Sequence, residues 1–309
     1  MFEKLVVVTR RTRLEELIER FNTRGQARFV LERAGGDFDE YEREHDTYHR
    51  ALDRLRRELD LGLPRQLVDR ALVPTYQFDS GDLVVTLGPD GLVANTATYA
   101  GAQPIVGVNP DPERIDGVLL PFAPADARAA VERTLSGHAA VRRITLAEAV
   151  LGDGQRLLAF NDLFIGARTH VSARYRIRAG SHDEAQSSSG VLVSTGAGST
   201  GWMSSVFNMA GGVTTFTGGQ PGRRFRLGWE DSRLLYAVRE PFVSRHSSAS
   251  IVAGLVGPGE ELVLESLMPS GGVIFRDGME ADFLHFTSGA VARVRAAEQR
   301  AVLVVQEAA

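Results

Sequence analysis

The chain has 309 residues, 43% of them apolar and 24% charged, with a formal net charge of −4 at neutral pH. This is the profile of a soluble globular protein long enough for two domains, and its acidic balance, without a basic arm, argues against nucleic-acid or membrane-surface partners. It contains no cysteine, which excludes disulfides, a thiolate nucleophile and thiolate metal sites.

In chain order, Lys4 to Thr9 reads as a buried strand. A helix follows around Leu14 to Phe21, with apolar residues at helical spacing. Ala27 to Leu31 reads as a second strand. Phe38 to Leu59 is a long polar helix with Tyr41, Tyr48, Leu52 and Leu55 on one stripe. Asp82 to Leu87 and Ile105 to Val108 are further strands with a helix between them, and Ala125 to Leu135 is another helix. This alternation predicts an α/β domain with a parallel sheet over residues 1–136. Strands then follow one another, near Leu157, Phe164, Val171 to Ile177, Val191, Leu234, Ile251, Leu262, Val273, Val291 and Val302. Residues 137–309 therefore read as a β-rich domain punctuated by Gly and Pro. Within it, the polar stretch Gly180 to Ser189 reads as a surface loop. No apolar run approaches membrane-spanning length and no signal-peptide pattern opens the chain, so the cytoplasm is the expected compartment.

Two glycine-rich turns carry most of the functional signal. Leu83-Val84-Val85-Thr86-Leu87 runs into Gly88-Pro89-Asp90-Gly91, and Val191-Leu192-Val193 runs into Ser194-Thr195-Gly196-Ala197-Gly198-Ser199-Thr200-Gly201. A buried strand that stops at glycines before a helix exposes backbone N–H groups suited to phosphate. Lys4 is the sole lysine, so 34 of 35 basic residues are arginine. Neither glycine turn ends in the Gly-Lys-Ser/Thr of an ordinary P-loop, and a protein-kinase site needs an internal lysine. Phosphate must then be held by backbone N–H groups, arginine, hydroxyls or a metal.

The second turn formally satisfies G-x-G-x-x-G, but it lies in the β-rich half, and no acid follows until Glu230. Both facts weigh against a Rossmann dehydrogenase. Asp90, at a strand end, suits Mg²⁺ binding or proton acceptance from a hydroxyl, or else a plain turn or N-cap. His45 and His49 stand at i and i+4, but on a highly charged helix they read as a surface pair rather than a metal site.

The order of these motifs resembles the NAD kinase family, within the wider NAD/diacylglycerol kinase-like group. Thr86-Leu87-Gly88-Pro89-Asp90-Gly91 sits where that family has Gly-Gly-Asp-Gly, and Pro104 to Asn109 is similar to its Gly-Val-Asn strand end. Asn161-Asp162 matches its Asn-Glu pair, Ser194 to Trp202 its hydroxyl-rich turn, and Asp277-Gly278 a late Asp-Gly turn. Asn109-Pro110-Asp111-Pro112-Glu113-Arg114, Ser188-Ser189-Gly190 and Arg239-Glu240-Pro241 look most like the mitochondrial-type branch. The resemblance implies an α/β domain, a β-rich domain and ATP-dependent phosphorylation of the adenosine-ribose 2′-hydroxyl of NAD to NADP. Asp90 would be the proton acceptor or Mg²⁺ partner. Asn161, Asp162, Ser189, Thr200, Gly201 and Ser205 would bind NAD, with Gly88, Gly91 and Asn109 near the transferred phosphate. A homodimer or homotetramer is implied as well. Three departures stand out: Pro89 removes a backbone donor, Asp162 is a methylene shorter than Glu, and Ser189 replaces an aspartate, which leaves NAD-versus-NADH preference open. A lipid, sugar or sphingoid kinase and a non-catalytic NAD sensor are the alternatives.

Overall fold

Short Leu/Val runs set the frame, because β-branched residues buried on both faces favour parallel strands covered by helices. The computed structural model describes residues 2–222 and 225–306. The chain forms two compact units, Met1–Arg142 with Val302–Ala309, and Arg143–Ala301. The division falls inside a strand near residue 142, a few residues beyond position 136. The chain crosses it a second time near its end.

In the first unit the elements are β1 (Lys4–Thr9), α1 (Arg13–Phe21), α2 (Arg24–Arg33), α3 (Phe38–Glu58), β2 (Arg65–Asp69), β3 (Asp82–Leu87), α4 (Asp90–Ala97), β4 (Pro104–Val108) and α5 (Ala127–Leu135). Strands run in the order β2-β1-β3-β4, all parallel. Leu5, Val7, Leu83, Val85, Val106 and Val108 form its core with Tyr48, Leu52, Leu55 and Val131. Lys4 reaches the buried Asp82 at 3.3 Å and the Tyr76 hydroxyl at 2.9 Å, so the one lysine neutralises a buried acid.

One expected strand is a helix. Ala27 to Leu31 lies within α2, whose N-terminus is capped by the Thr23 hydroxyl accepting from Gln26 N–H. Thr23-Arg24-Gly25-Gln26 has the Ser/Thr-x-x-Glu/Gln spacing of a capping box, a start signal that outweighs the short Phe29-Val30-Leu31 run. Phe29 is left exposed. A helix accommodates that, with only Ala27 of its ten residues buried.

The second unit contains β5 (Val141–Leu151), β6 (Arg156–Ala159), β7 (Asp162–Ala167), β8 (Ala173–Ala179), β9 (His182–Ser188), β10 (Val191–Ser194), α6 (Trp202–Phe216), β11 (Leu234–Val238), β12 (Ala253–Val256), β13 (Leu262–Ser266), β14 (Gly272–Arg276), β15 (Met279–His285) and β16 (Val291–Val304). One antiparallel sheet has the order β12-β11-β10-β7-β14-β15, and β16, β13, β8 and β9 pair in succession in another. Ile165, Val193, Tyr175, Leu264 and Phe286 belong to the core of this unit.

Two readings change here. Gly180 to Ser189 is not a loop: β9 pairs with β8 along its whole length. Its polar sequence suits the sheet edge it occupies, where charged residues discourage further pairing. Asp183 holds Arg176 and Arg178, and the Tyr175 hydroxyl donates to Gln186 at 3.0 Å. The strands expected near Val291 and Val302 are one, β16, whose last residues Val302 and Leu303 run parallel to Pro104 and Ile105 in the first unit's sheet.

The architecture is α/β in the first unit and β-rich in the second. No helix among the described residues is long and apolar enough to cross a membrane.

Candidate functional site

The first glycine turn lies where β3 ends and α4 begins. Pro89 is the residue before the helix and Asp90 its first helical position. A proline here removes an N–H that the helix does not use, and its fixed φ suits a helix entry. Asp90 and Gly91 present their N–H groups at the helix N-terminus with no partner among the described residues. That end of a helix favours anions. Asp90 Oδ1 accepts from Leu119 N–H at 2.6 Å, which orients the carboxylate and leaves Oδ2 available.

Neighbouring groups fix this turn. The Tyr48 hydroxyl donates to Leu87 C=O at 3.1 Å and accepts from Arg10 N–H at 3.0 Å, joining the ends of β3 and β1. Burial pushes the Tyr48 phenol up to about 12, so it stays a neutral donor. Gly107 is required for the approach of Leu119, since a Cβ there would lie 2.2 Å from Leu119 C=O. Asn109 shapes the same loop: its amide donates to Ile115 C=O at 2.9 Å and accepts from Asp111 N–H at 3.0 Å. Both ends of that side chain are thus engaged, and its effect on Asp90 runs through the loop that carries Leu119. Gly88 is buried and its N–H reaches Val108 C=O at 3.4 Å. Arg10 extends from the end of β1 to within 3.7 Å of where a Gly88 side chain would start, and its guanidinium meets Glu44 at 2.7 Å. Sequence reasoning passed over Arg10, although an arginine directly after a buried strand in a chain with one lysine is a readable signal.

The second turn is built differently. Strand β10 is antiparallel to both its neighbours, β7 and β11, so the G-x-G-x-x-G match does not sit in the βαβ unit that a Rossmann fingerprint needs. The Thr195 hydroxyl donates to Phe160 C=O at 2.6 Å and accepts from Gly198 N–H at 3.2 Å. Thr195 N–H reaches Asn161 C=O at 2.9 Å. Gly198 is obligatory, because a Cβ would lie 2.1 Å from Asn161 C=O. These contacts bring the turn against the Asn161-Asp162 corner. Thr200, Gly201 and Ser205 face solvent at the start of α6, and the Asn161 side-chain amide has no hydrogen-bond partner among the described residues.

A buried carboxylate organises that corner. Asp277, in the left-handed region at φ 48°, accepts from Phe160, Asn161 and Asp162 N–H at 2.9, 2.6 and 3.2 Å. Burial pushes its carboxyl up, opposed by those three donors and by Arg276. Asp162, buried and facing the same charge, is pushed up to about 7 by burial and then by Asp277. Burial and their mutual repulsion thus push both carboxyls upward, and Asp277 is the one with three N–H donors to offset it.

Beside the acids lies a pocket of about 190 Å³ lined by Asp162, Phe164, Trp202, Phe275, Asp277 and their neighbours. Phe164 stacks on Trp202 at 5.6 Å and on Phe275 at 6.3 Å. The Arg239 guanidinium lies 5.3 Å from the Trp202 ring, and Arg239 C=O accepts from Ser189 N–H at 2.8 Å. Ser189 is thereby placed at the same edge, exposed. A flat aromatic surface flanked by a guanidinium and two carboxyls is suited to a base and its ribose. Phe164 and Arg239 lie far from the glycine turn in sequence, and no local pattern reveals the stack.

No protein-family model matches the chain. An NAD kinase from Halobacterium salinarum is 36% identical over 138 residues, covering 41% of this chain and 48% of that protein. The chain thus spans about half the length of this curated relative. An NAD kinase from Archaeoglobus fulgidus, solved in complex with ATP, aligns over 98% of this chain and 94% of its own with a TM-score of 0.55 and 17% identity. Yeast NADH kinase, complexed with NADH, aligns over 99% and 84% with a TM-score of 0.58 and 16% identity. The fold is therefore that of NAD kinases, and sequence and fold both support the resemblance read from the ordered motifs.

Proposed function

We propose that the chain transfers the γ-phosphoryl group of ATP to the 2′-hydroxyl of the adenosine ribose of NAD, giving NADP and ADP. The observation that carries this reading is Asp90: a carboxylate oriented by Leu119, one oxygen free, at a phosphate-suited helix start, on a fold shared with kinases of NAD and NADH. The bond between the ribose 2′-oxygen and the γ-phosphorus forms as the bond to the β–γ bridging oxygen breaks. Asp90 accepts the hydroxyl proton. The N–H groups of Asp90 and Gly91, with Arg10, hold the phosphates, which a site without lysine requires. Asp162 and Asn161 bind the ribose and base, with Ser189, Thr200, Gly201 and Ser205 along the same pocket and Trp202 stacked on the ring. Gly88 and Asn109 keep the phosphate-side turn in shape.

A free Asp90 oxygen together with substrate phosphates fits Mg²⁺, which takes one or two carboxylates and keeps several waters. When bound it neutralises charge on the phosphoryl group. Helix α6 has no charged residue and leaves Met209, Val213 and Phe216 exposed, which supports a homodimer or homotetramer. The cytoplasm is the compartment proposed.

The deciding experiment incubates purified protein with NAD, ATP and Mg²⁺ and follows NADP by an NADP-specific coupled assay. Steady NADP formation is expected. ADP release on lipid, sugar or sphingoid alcohols but not on NAD would replace the substrate, and calorimetric NAD binding without NADP would make the chain a sensor.

A further inference from the structure

His45 and His49 are one helical turn apart on α3, and their sequence context is that of a solvated surface pair. Folding changes that context. Helix α1 packs near α3 and delivers Glu15 to the pair, with His49 Nε2 3.1 Å from Glu15 Oε1. One ring nitrogen from each histidine and one carboxylate oxygen all lie within 4.8 Å of one another. Among the described residues this is the one place where three or more such groups converge. All three side chains are half-buried.

Thr12 holds two of the three donors, Glu15 and His45. Thr12 N–H donates to Glu15 Oε2 at 2.7 Å as part of the capping box that starts α1. The carboxylate is thereby fixed through one oxygen, with the other facing the histidines. The Thr12 hydroxyl lies 2.9 Å from His45 Nδ1. His49 packs edge-on against Tyr48, whose hydroxyl is itself held between Arg10 and Leu87. Supporting hydrogen bonds of this kind orient metal ligands in proteins and strengthen binding by roughly 10–100-fold. The nearby arginines already have carboxylate partners, Arg11 with Glu19 and Arg13 with Glu40 and Glu44. Their charge is thus largely balanced.

We infer that Glu15, His45 and His49 form a binding site for one divalent transition-metal ion of the zinc class, with water completing the coordination. Two imidazoles and a carboxylate are a donor set that zinc favours, whereas Mg²⁺ prefers oxygen ligands alone. Zinc bonds of about 2.0–2.2 Å place ligand atoms roughly 3.3–3.6 Å apart in a tetrahedron. The Glu15–His49 pair is already near that spacing, and rotamer adjustment closes the rest. The ion would tie α1 to α3 beside the Tyr48 bridge, and it is separate from any Mg²⁺ that accompanies nucleotide.

The test uses tag-free, chelator-stripped protein without nucleotide, titrated with Zn²⁺ against a chromophoric chelator, and loaded with Co²⁺ in parallel. One Zn²⁺ per chain at micromolar affinity or tighter is expected, with Co²⁺ visible bands of a four- or five-coordinate nitrogen/oxygen site and a higher Tm on loading. His45→Ala, His49→Ala and Glu15→Gln should each weaken binding at least about tenfold. His138→Ala, elsewhere on the surface, should leave it unchanged. Glu15→Gln keeps a capping acceptor, and circular dichroism verifies that each variant is folded. Absence of stoichiometric binding to the parent protein, or equal affinity in folded His45→Ala and His49→Ala, overturns the assignment. The readout does not depend on kinase activity.

Discussion

The two glycine turns look alike in sequence and work in different ways. At Gly88–Gly91 the neighbours are side chains: a Cβ at Gly91 meets nothing within 4 Å, and one at Gly88 meets the Leu92 side chain at 2.8 Å and Arg10 at 3.7 Å. That turn accepts Pro89, and the Asp90 and Gly91 N–H groups at its helix start have no partner among the described residues. At Gly196–Gly201 the main chain is packed against other main chain. A Cβ at Gly196 would lie 1.8 Å from Gly228 C=O, and one at Gly198 2.1 Å from Asn161 C=O. Its buried hydroxyls serve carbonyls of the protein itself. Glycine in the first turn leaves space for chemistry, and glycine in the second permits construction.

The sharpest way to break this contrast is Asp90→Asn. It should lower turnover by roughly 10²–10⁴-fold while NAD affinity stays within about twofold, read by NADP formation and calorimetry. Retained turnover would remove the carboxylate from the chemistry. Next comes a matched pair in the two turns. Gly198→Ala should destabilise by about 3 kcal/mol through the clash with Asn161, whereas Gly91→Ala, in the first turn of α4, should be neutral or stabilise by up to about 1 kcal/mol. Equal shifts in urea midpoint would erase the distinction. Trp202→Ala should raise the KM for NAD roughly tenfold, in line with one lost stacking partner, and leave the KM for ATP alone.

Acid–base behaviour sharpens the second turn. The Asp162 carboxyl is raised to about 7 from an ordinary value of 3.8. The folded state therefore holds a proton that the unfolded chain releases. Its contribution to stability is complete below about pH 4 and declines as pH rises to about 7. Asp162→Asn should remove that decline and stabilise the protein by roughly 1–3 kcal/mol at pH 8 relative to pH 4, measured by denaturant titration at both values. An unchanged pH profile would show that Asp162 titrates normally. Smallest of all is Pro89→Gly, expected to alter kcat less than about threefold because the ring occupies a position where the helix uses no donor. A collapse in kcat would mean that loop stiffness matters.

What the sequence discloses follows from how local the signal is. The unit β3–turn–α4 was legible because a six-residue buried run, a glycine break and a following helix are all contiguous. The Asn161-Asp162 and Asp277-Gly278 turns were visible as motifs. That Asp277 caps the backbone of Asn161 and Asp162 was not visible, because the partners are more than 110 residues apart. Phe164, Trp202 and Arg239 share a surface only through the pairing of β7, β10 and β11. Helix α2 replaces the strand expected at Ala27 to Leu31 because the Thr23 cap, three residues ahead of Gln26, outweighs a short apolar run. Strand β9 reads as a loop in sequence because edge strands carry the polar residues that loops also carry.

The path of β16 bears on how this chain is made. Its last residues, Val302 and Leu303, lie beside β4, Val304 joins the first unit's core, and Val305 N–H reaches Ala140 C=O. The first unit thus stays incomplete until residues 302–305 have been synthesised, whereas the second unit, residues 143–301, is contiguous and precedes them in the chain. Vectorial synthesis should favour a nascent chain whose later half matures first. A truncation at residue 300 would expose the edge of β4 and invite aggregation rather than yield a smaller working protein.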